Sequence, residues 1–143
     1  RKIVPQPKTQ TPCNRVKQNP GKIQRPLPYI KKESTSMPKP QKHVFICVQN
    51  RGPGHPRGSC AQSGAPAVWE EFAFEFQQRN LNGKIALTNT GCLGPCNGPH
   101  VLVYPGGVMY GNVSRDDVKP IIEEHLLGDT PVARLQLPAE IWG

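Results

Sequence analysis

Val101-Leu-Val-Tyr-Pro-Gly-Gly-Val-Met-Tyr110 decides how this chain folds. Val101 to Tyr104 and Val108 to Tyr110 read as two strands, and Pro105-Gly106-Gly107 joins them in a hairpin. Working upstream, Lys84 to Thr88 reads as a strand after the Asn82-Gly83 turn. Pro66 can open a helix at its first position. Behind it, Val68, Trp69, Phe72, Ala73 and Phe76 share one arc at about 100° per residue, and Phe74 faces away. His43-Val-Phe-Ile-Cys-Val48 is a short β-branched run, hence a buried strand. Downstream, Ser114 with Asp117 three residues on reads as a helix start. Val118, Ile121, Ile122, His125 and Leu126 then make one apolar face, and Gly128 ends the helix. The order is β-α-β, then a hairpin, then a helix: an α/β domain with a small mixed sheet covered by helices.

The 143 residues suffice for one compact domain. No apolar run in the sequence is long enough to span a bilayer or to serve as a secretory signal. Five cysteines, an odd number, argue against a closed disulfide framework. No acid–base pair, nucleophile constellation or phosphate loop stands out, so the expected role is not enzymatic.

The net charge of +8 is unevenly placed. Residues 1–42 hold 11 basic residues, one acid and 8 of the 17 prolines, whereas residues 43–143 hold 7 basic and 9 acidic residues. The first segment shows no period of 2 or 3.6 and cannot bury enough surface to offset its ordering entropy. It is expected to be disordered unless a partner holds it. Eight Lys against three Arg, with Tyr29 the only aromatic, suit contact with phosphate or an acidic protein surface better than base stacking. The candidates for its role are a tether to a large redox assembly, a foothold in a ribonucleoprotein such as an organellar ribosome, or a processed targeting remnant.

The chemistry lies in four cysteines: Cys47, Cys60 after twelve intervening residues, Cys92 after another 31, and Cys96 after three more. A [2Fe–2S] cluster needs two thiolates on each iron, and two cysteine pairs supply that number. Gly91, Gly94 and Pro95 keep the second pair out of helix and let backbone N–H groups approach sulfur. Structural zinc would accept Cys92 and Cys96 but favours a shorter gap than that between Cys47 and Cys60. A thiol–disulfide enzyme would want C-x-x-C at a helix N-terminus, and inert buried cysteines are the remaining alternative.

HVFICVQNRGPGHPRGSC, GCLGPCNGPHVLVYPGGVMYGNV and DVKPIIEEHLLG resemble the thioredoxin-like [2Fe–2S] ferredoxins over about residues 43–135. The resemblance implies a thioredoxin-like fold, a cluster near the surface, one-electron transfer to redox partner proteins, and commonly a homodimer. It also implies that Cys47 and Cys60 hold one iron while Cys92 and Cys96 hold the other. The basic extension over residues 1–42 departs from the family pattern, and residues 136–143 form a short C-terminal tail beyond it.

Other residues are weaker candidates. Cys13, between Pro12 and Asn14, reads as a free thiol. His55 could replace a thiolate, as in Rieske centres, but four cysteines make loop ordering the better role. Arg51 and Arg57 add positive charge beside the cysteines, either moderating the cluster's field or greeting an acidic partner. Phe74, Ile141 and Trp142 lack an obvious home and point to a packed interface with an assembly. Free thiolates imply a reducing compartment: an organelle interior (mitochondrial matrix or plastid stroma) or a bacterial cytoplasm.

Overall fold

The computed structural model describes residues 38–142, so the expectations for Cys13 and for residues 1–37 of the basic segment lie outside the described residues. Strand β1 (Lys42–Cys47) leads through helix α1 (Ala65–Gln78) to β2 (Ile85–Thr90), which lies parallel to β1. β3 (Val101–Tyr104) and β4 (Val108–Tyr110) form the expected hairpin, with β3 antiparallel to β1. The four strands are ordered β2-β1-β3-β4. The two inner strands, β1 and β3, are therefore the apolar ones, as burial between two neighbours demands.

Val44 and Ile46 pair in register with Val103 and Val101, so all four project from one sheet face. Val68, Phe72 and Phe76 of α1 pack there, together with Val118, Ile121, Ile122 and Leu126 from the last helical stretch. Phe72 and Phe76 meet edge to face with ring centroids 6.2 Å apart. Phe74 is exposed, as its position off the arc predicts, and Trp69 is only half-buried.

Two features differ from the sequence expectation, each for a physical reason. Glu71 and Glu75 are buried on α1 because Arg115 Nε reaches Glu71 at 2.7 Å and Arg79 Nε reaches Glu75 at 2.7 Å. The final helix is not uniformly α. A 3₁₀ turn (Arg115–Asp117) passes into a short α2 (Val118–Pro120) and then a wider π-helical segment (Ile121–Leu127). Pro120 withdraws an N–H and crowds the carbonyl four residues earlier, and the ladder widens just beyond it. Gly128 does cap this helix, but with negative φ. It is needed because a Cβ would press on the Glu124 carbonyl, and Asp129 takes the left-handed turn instead at φ 56°.

Lys42, the last of the basic segment's charges, belongs to β1. Its ammonium caps the helix C-terminus through the His125 and Leu126 carbonyls, both at 2.8 Å, and pairs with Asp129. His125 is an interior histidine, as expected: the Tyr110 hydroxyl lies 2.8 Å from its Nδ1 and also accepts the Val132 N–H. Past residue 135 the chain runs beside β4, where Tyr110 bridges Gln136 and Leu137 N–H donates to the Met109 carbonyl.

Candidate metal centre

The topology brings three cysteine-bearing segments to one end of the sheet. Cys47 ends β1 opposite Thr90, so the loop with Cys92 and Cys96 leaves β2 at the same end. β3 runs the other way and starts there, its approach held by Cys47 N–H donating to the His100 carbonyl at 3.0 Å. Cys60 sits just before α1 and anchors it, its carbonyl accepting the Ala65 N–H at 3.0 Å.

The thiols form two unlike pairs. Cys47 and Cys60 are buried together with Ala65. Burial, and then the Cys47 sulfur beside it, push the Cys60 thiol up to about 12. Its proton is directed at the Gly98 carbonyl, 3.1 Å away. Cys92 is exposed and Cys96 half-exposed, with their sulfurs 3.8 Å apart. Gly94 N–H donates to the Cys92 sulfur at 3.3 Å, made possible by φ +117° at this glycine. That hydrogen bond, and then Arg51, hold the Cys92 thiol below its ordinary range.

The arginines tie the two loops together. Arg51 Nη1 lies 3.5 Å from the Cys96 sulfur and 3.0 Å from the Gly58 carbonyl, while Arg57 Nη2 lies 3.0 Å from the Gly94 carbonyl. His55 orders its own loop, Nδ1 accepting the Arg57 N–H at 3.2 Å, which matches the role expected from the sequence. A Cβ on Gly98 would collide with the Asn112 amide, so only glycine lets this loop close over Cys60.

Among the described residues no three His, Cys, Asp or Glu side chains gather as donors around a single ion. The donor chemistry instead suits thiolates held in pairs. One pair is buried, and the other is supplied with a backbone N–H and a guanidinium, which are the groups that stabilise anionic sulfur. Sequence reasoning missed His100, whose ring is fully buried with Nδ1 3.9 Å from the Cys60 sulfur. Its only signal is a polar residue at the mouth of the apolar β3 run.

Comparison with known proteins finds relatives of one kind. A 2Fe-2S ferredoxin of Aquifex aeolicus is 51% identical over 96 residues, spanning 66% of this chain and 86% of the relative. A 2Fe-2S ferredoxin of Clostridium pasteurianum is 41% identical over 102 residues, spanning 71% of this chain and 100% of the relative. In structure, the wild-type thioredoxin-like [2Fe-2S] ferredoxin from Aquifex aeolicus superposes with a TM-score of 0.66 at 48% identity, covering 70% of this chain and 99% of its own. No family model matches. The fold is thioredoxin-like, with a mixed sheet and helices on one face. The chain belongs to the thioredoxin-like [2Fe-2S] ferredoxin family.

Proposed function

We propose that this chain is a [2Fe–2S] electron carrier in which Cys47 and Cys60 hold one iron and Cys92 and Cys96 the other. The observation that carries the reading is the meeting of a buried and an exposed thiol pair at one end of the sheet, with Arg51 at the exposed pair. When bound, such a cluster takes up and returns one electron. The residues divide the remaining work. Cys47 and Cys60 seat the group against the core, while Gly94 and Arg51 offset negative charge on the outer sulfurs. The exposed Cys92 brings the site to the surface where a redox partner protein docks. A compartment that keeps thiols reduced, such as a bacterial cytoplasm, suits this chemistry. Among the described residues no helix is long and apolar enough to cross a membrane.

Serine replacement tests the ligand set. Cys47→Ser, Cys60→Ser, Cys92→Ser and Cys96→Ser should each shift or abolish the visible absorption of the purified protein, and Cys13→Ser should leave it unchanged. A wild-type spectrum in any of the first four would remove that residue from the set.

The sequence supports a further part of the reading: residues 1–37 tether the carrier to a larger assembly through their basic charge. Phe74, Ile141 and Trp142, 54%, 38% and 57% exposed, supply apolar contact to that assembly or to a second copy of the chain. Deleting residues 1–37, short of the paired Lys42, should leave the cluster spectrum intact and abolish co-purification with the assembly. Release of the intact protein by ribonuclease indicates a nucleic-acid partner, and release by salt alone an acidic protein. Unchanged co-purification after the truncation refutes the tether.

A further inference from the structure

His100 lies between the two buried cysteines and touches each through a different group. Its backbone carbonyl accepts the Cys47 N–H at 3.0 Å, and its ring Nδ1 stands 3.9 Å from the Cys60 sulfur. The ring is fully buried, and Nε2 has no hydrogen-bond partner. That orphan atom favours the tautomer with its proton on Nδ1. A proton on Nε2 would be a buried donor without an acceptor, whereas a proton on Nδ1 faces the Cys60 sulfur.

The Cys60 thiol lies 3.1 Å from the Gly98 carbonyl and donates to it. A Cys60 that holds iron has given that proton up. The carbonyl and the anionic sulfur then face each other without a proton between them, a repulsive arrangement in a buried site. The His100 N–H is placed to relieve it. The outer pair has no such need, because Gly94 N–H and Arg51 already serve it.

We propose that His100 is a positioning residue for the buried pair, its Nδ1–H directed to the Cys60 sulfur and its carbonyl holding the Cys47 amide. This rests on the assignment of Cys47 and Cys60 as ligands. A hydrogen bond to thiolate sulfur withdraws charge and favours the reduced state, in which the sulfurs are more negative. Loss of the donor should shift the reduction equilibrium toward the oxidised form by about tenfold, or about 59 mV for one electron.

The test uses the full chain with its cluster, produced with ring-¹⁵N histidine and reduced with dithionite. Pulsed EPR should show an imidazole nitrogen coupling that survives His55→Ala and disappears in His100→Leu. His100→Leu should lower the reduction potential. His100→Asn, whose Nδ2 can stand where Nδ1 does, should restore most of it, which a residue that only fills space would not do. A normal cluster spectrum with no histidine coupling, or equal potentials for the Leu and Asn variants, overturns the proposal alone. If His100→Leu does not fold, the labelled unsubstituted protein and its His55→Ala variant decide the question. Protein purified without iron or visible absorption overturns the ligand assignment itself, and the proposal with it.

Discussion

Arg51 Nη1 lies 3.5 Å from the Cys96 sulfur, and its backbone N–H is fixed by the Ser59 hydroxyl at 3.1 Å. The guanidinium is thus held by its own loop before any cluster chemistry begins. A fixed cation beside thiolate sulfur favours the state with more negative charge. Arg51→Ala should therefore lower the reduction potential by tens of millivolts, on the order of 59 mV for each tenfold change in the equilibrium. Arg51→Lys should recover only part of this, because a shorter, more strongly hydrated ammonium does not keep the place of Nη1, which serves both the Cys96 sulfur and the Gly58 carbonyl. Potentiometric titration of the three proteins measures both effects.

The two thiol pairs should also react differently in the iron-free chain. Cys92 is exposed and held below its ordinary range by Gly94 and Arg51, while Cys60 is buried with a value of about 12. At pH 8 roughly one Cys60 in ten thousand would be thiolate, and thiolate is the reactive form. Alkylation followed by peptide mass spectrometry should mark Cys92 first and Cys60 last. Equal rates would show that the paired geometry does not persist without iron.

The buried acids of α1 make a stability prediction. Glu75 is 8% exposed and depends on Arg79 at 2.7 Å, with Lys119 only at 3.8 Å. Arg79→Ala leaves that carboxylate poorly paired and should cost about 1–2 kcal/mol, at the lower end because Arg79 itself is partly solvated. Glu75→Met, which removes the buried charge, should cost less. Thermal unfolding of both variants distinguishes these outcomes.

His125 makes stability depend on pH. Burial, and then the neighbouring Lys42, hold its imidazole below the ordinary value. The unfolded chain therefore takes up a proton near pH 6.5 that the folded chain refuses. Stability should fall as pH drops below about 6.5, and it should be insensitive to this group above that. His125→Asn keeps an acceptor for the Tyr110 hydroxyl without titrating. Its melting temperature should decline less between pH 7 and pH 5 than that of the parent.

Much of the fold could be read from local pattern. The hairpin bounds Val101–Tyr104 and Val108–Tyr110 follow directly from the Pro105-Gly106-Gly107 break, and β1 is displaced from the sequence reading by one residue. The β2 strand ends two residues later than expected, because pairing with Ile46 and Cys47 carries Asn89 and Thr90 into the ladder despite the weak strand propensity of Asn89. Apolar periodicity could not show that Glu71 lies on the buried side of α1, since its partner Arg115 is 44 residues away. The cysteines announced themselves by spacing. His100 did not, because its role depends on β1 and the Cys60 loop converging on the start of β3.

The central claim is that these four thiols hold two irons, and one sample of purified full-length protein tests it most directly. Iron and acid-labile sulfide analysis, with low-temperature EPR after dithionite reduction, should give about two irons and two sulfides per chain and the one-electron signal of a reduced [2Fe–2S] cluster. Stoichiometric zinc with no iron, no visible absorption and no EPR signal would contradict the account.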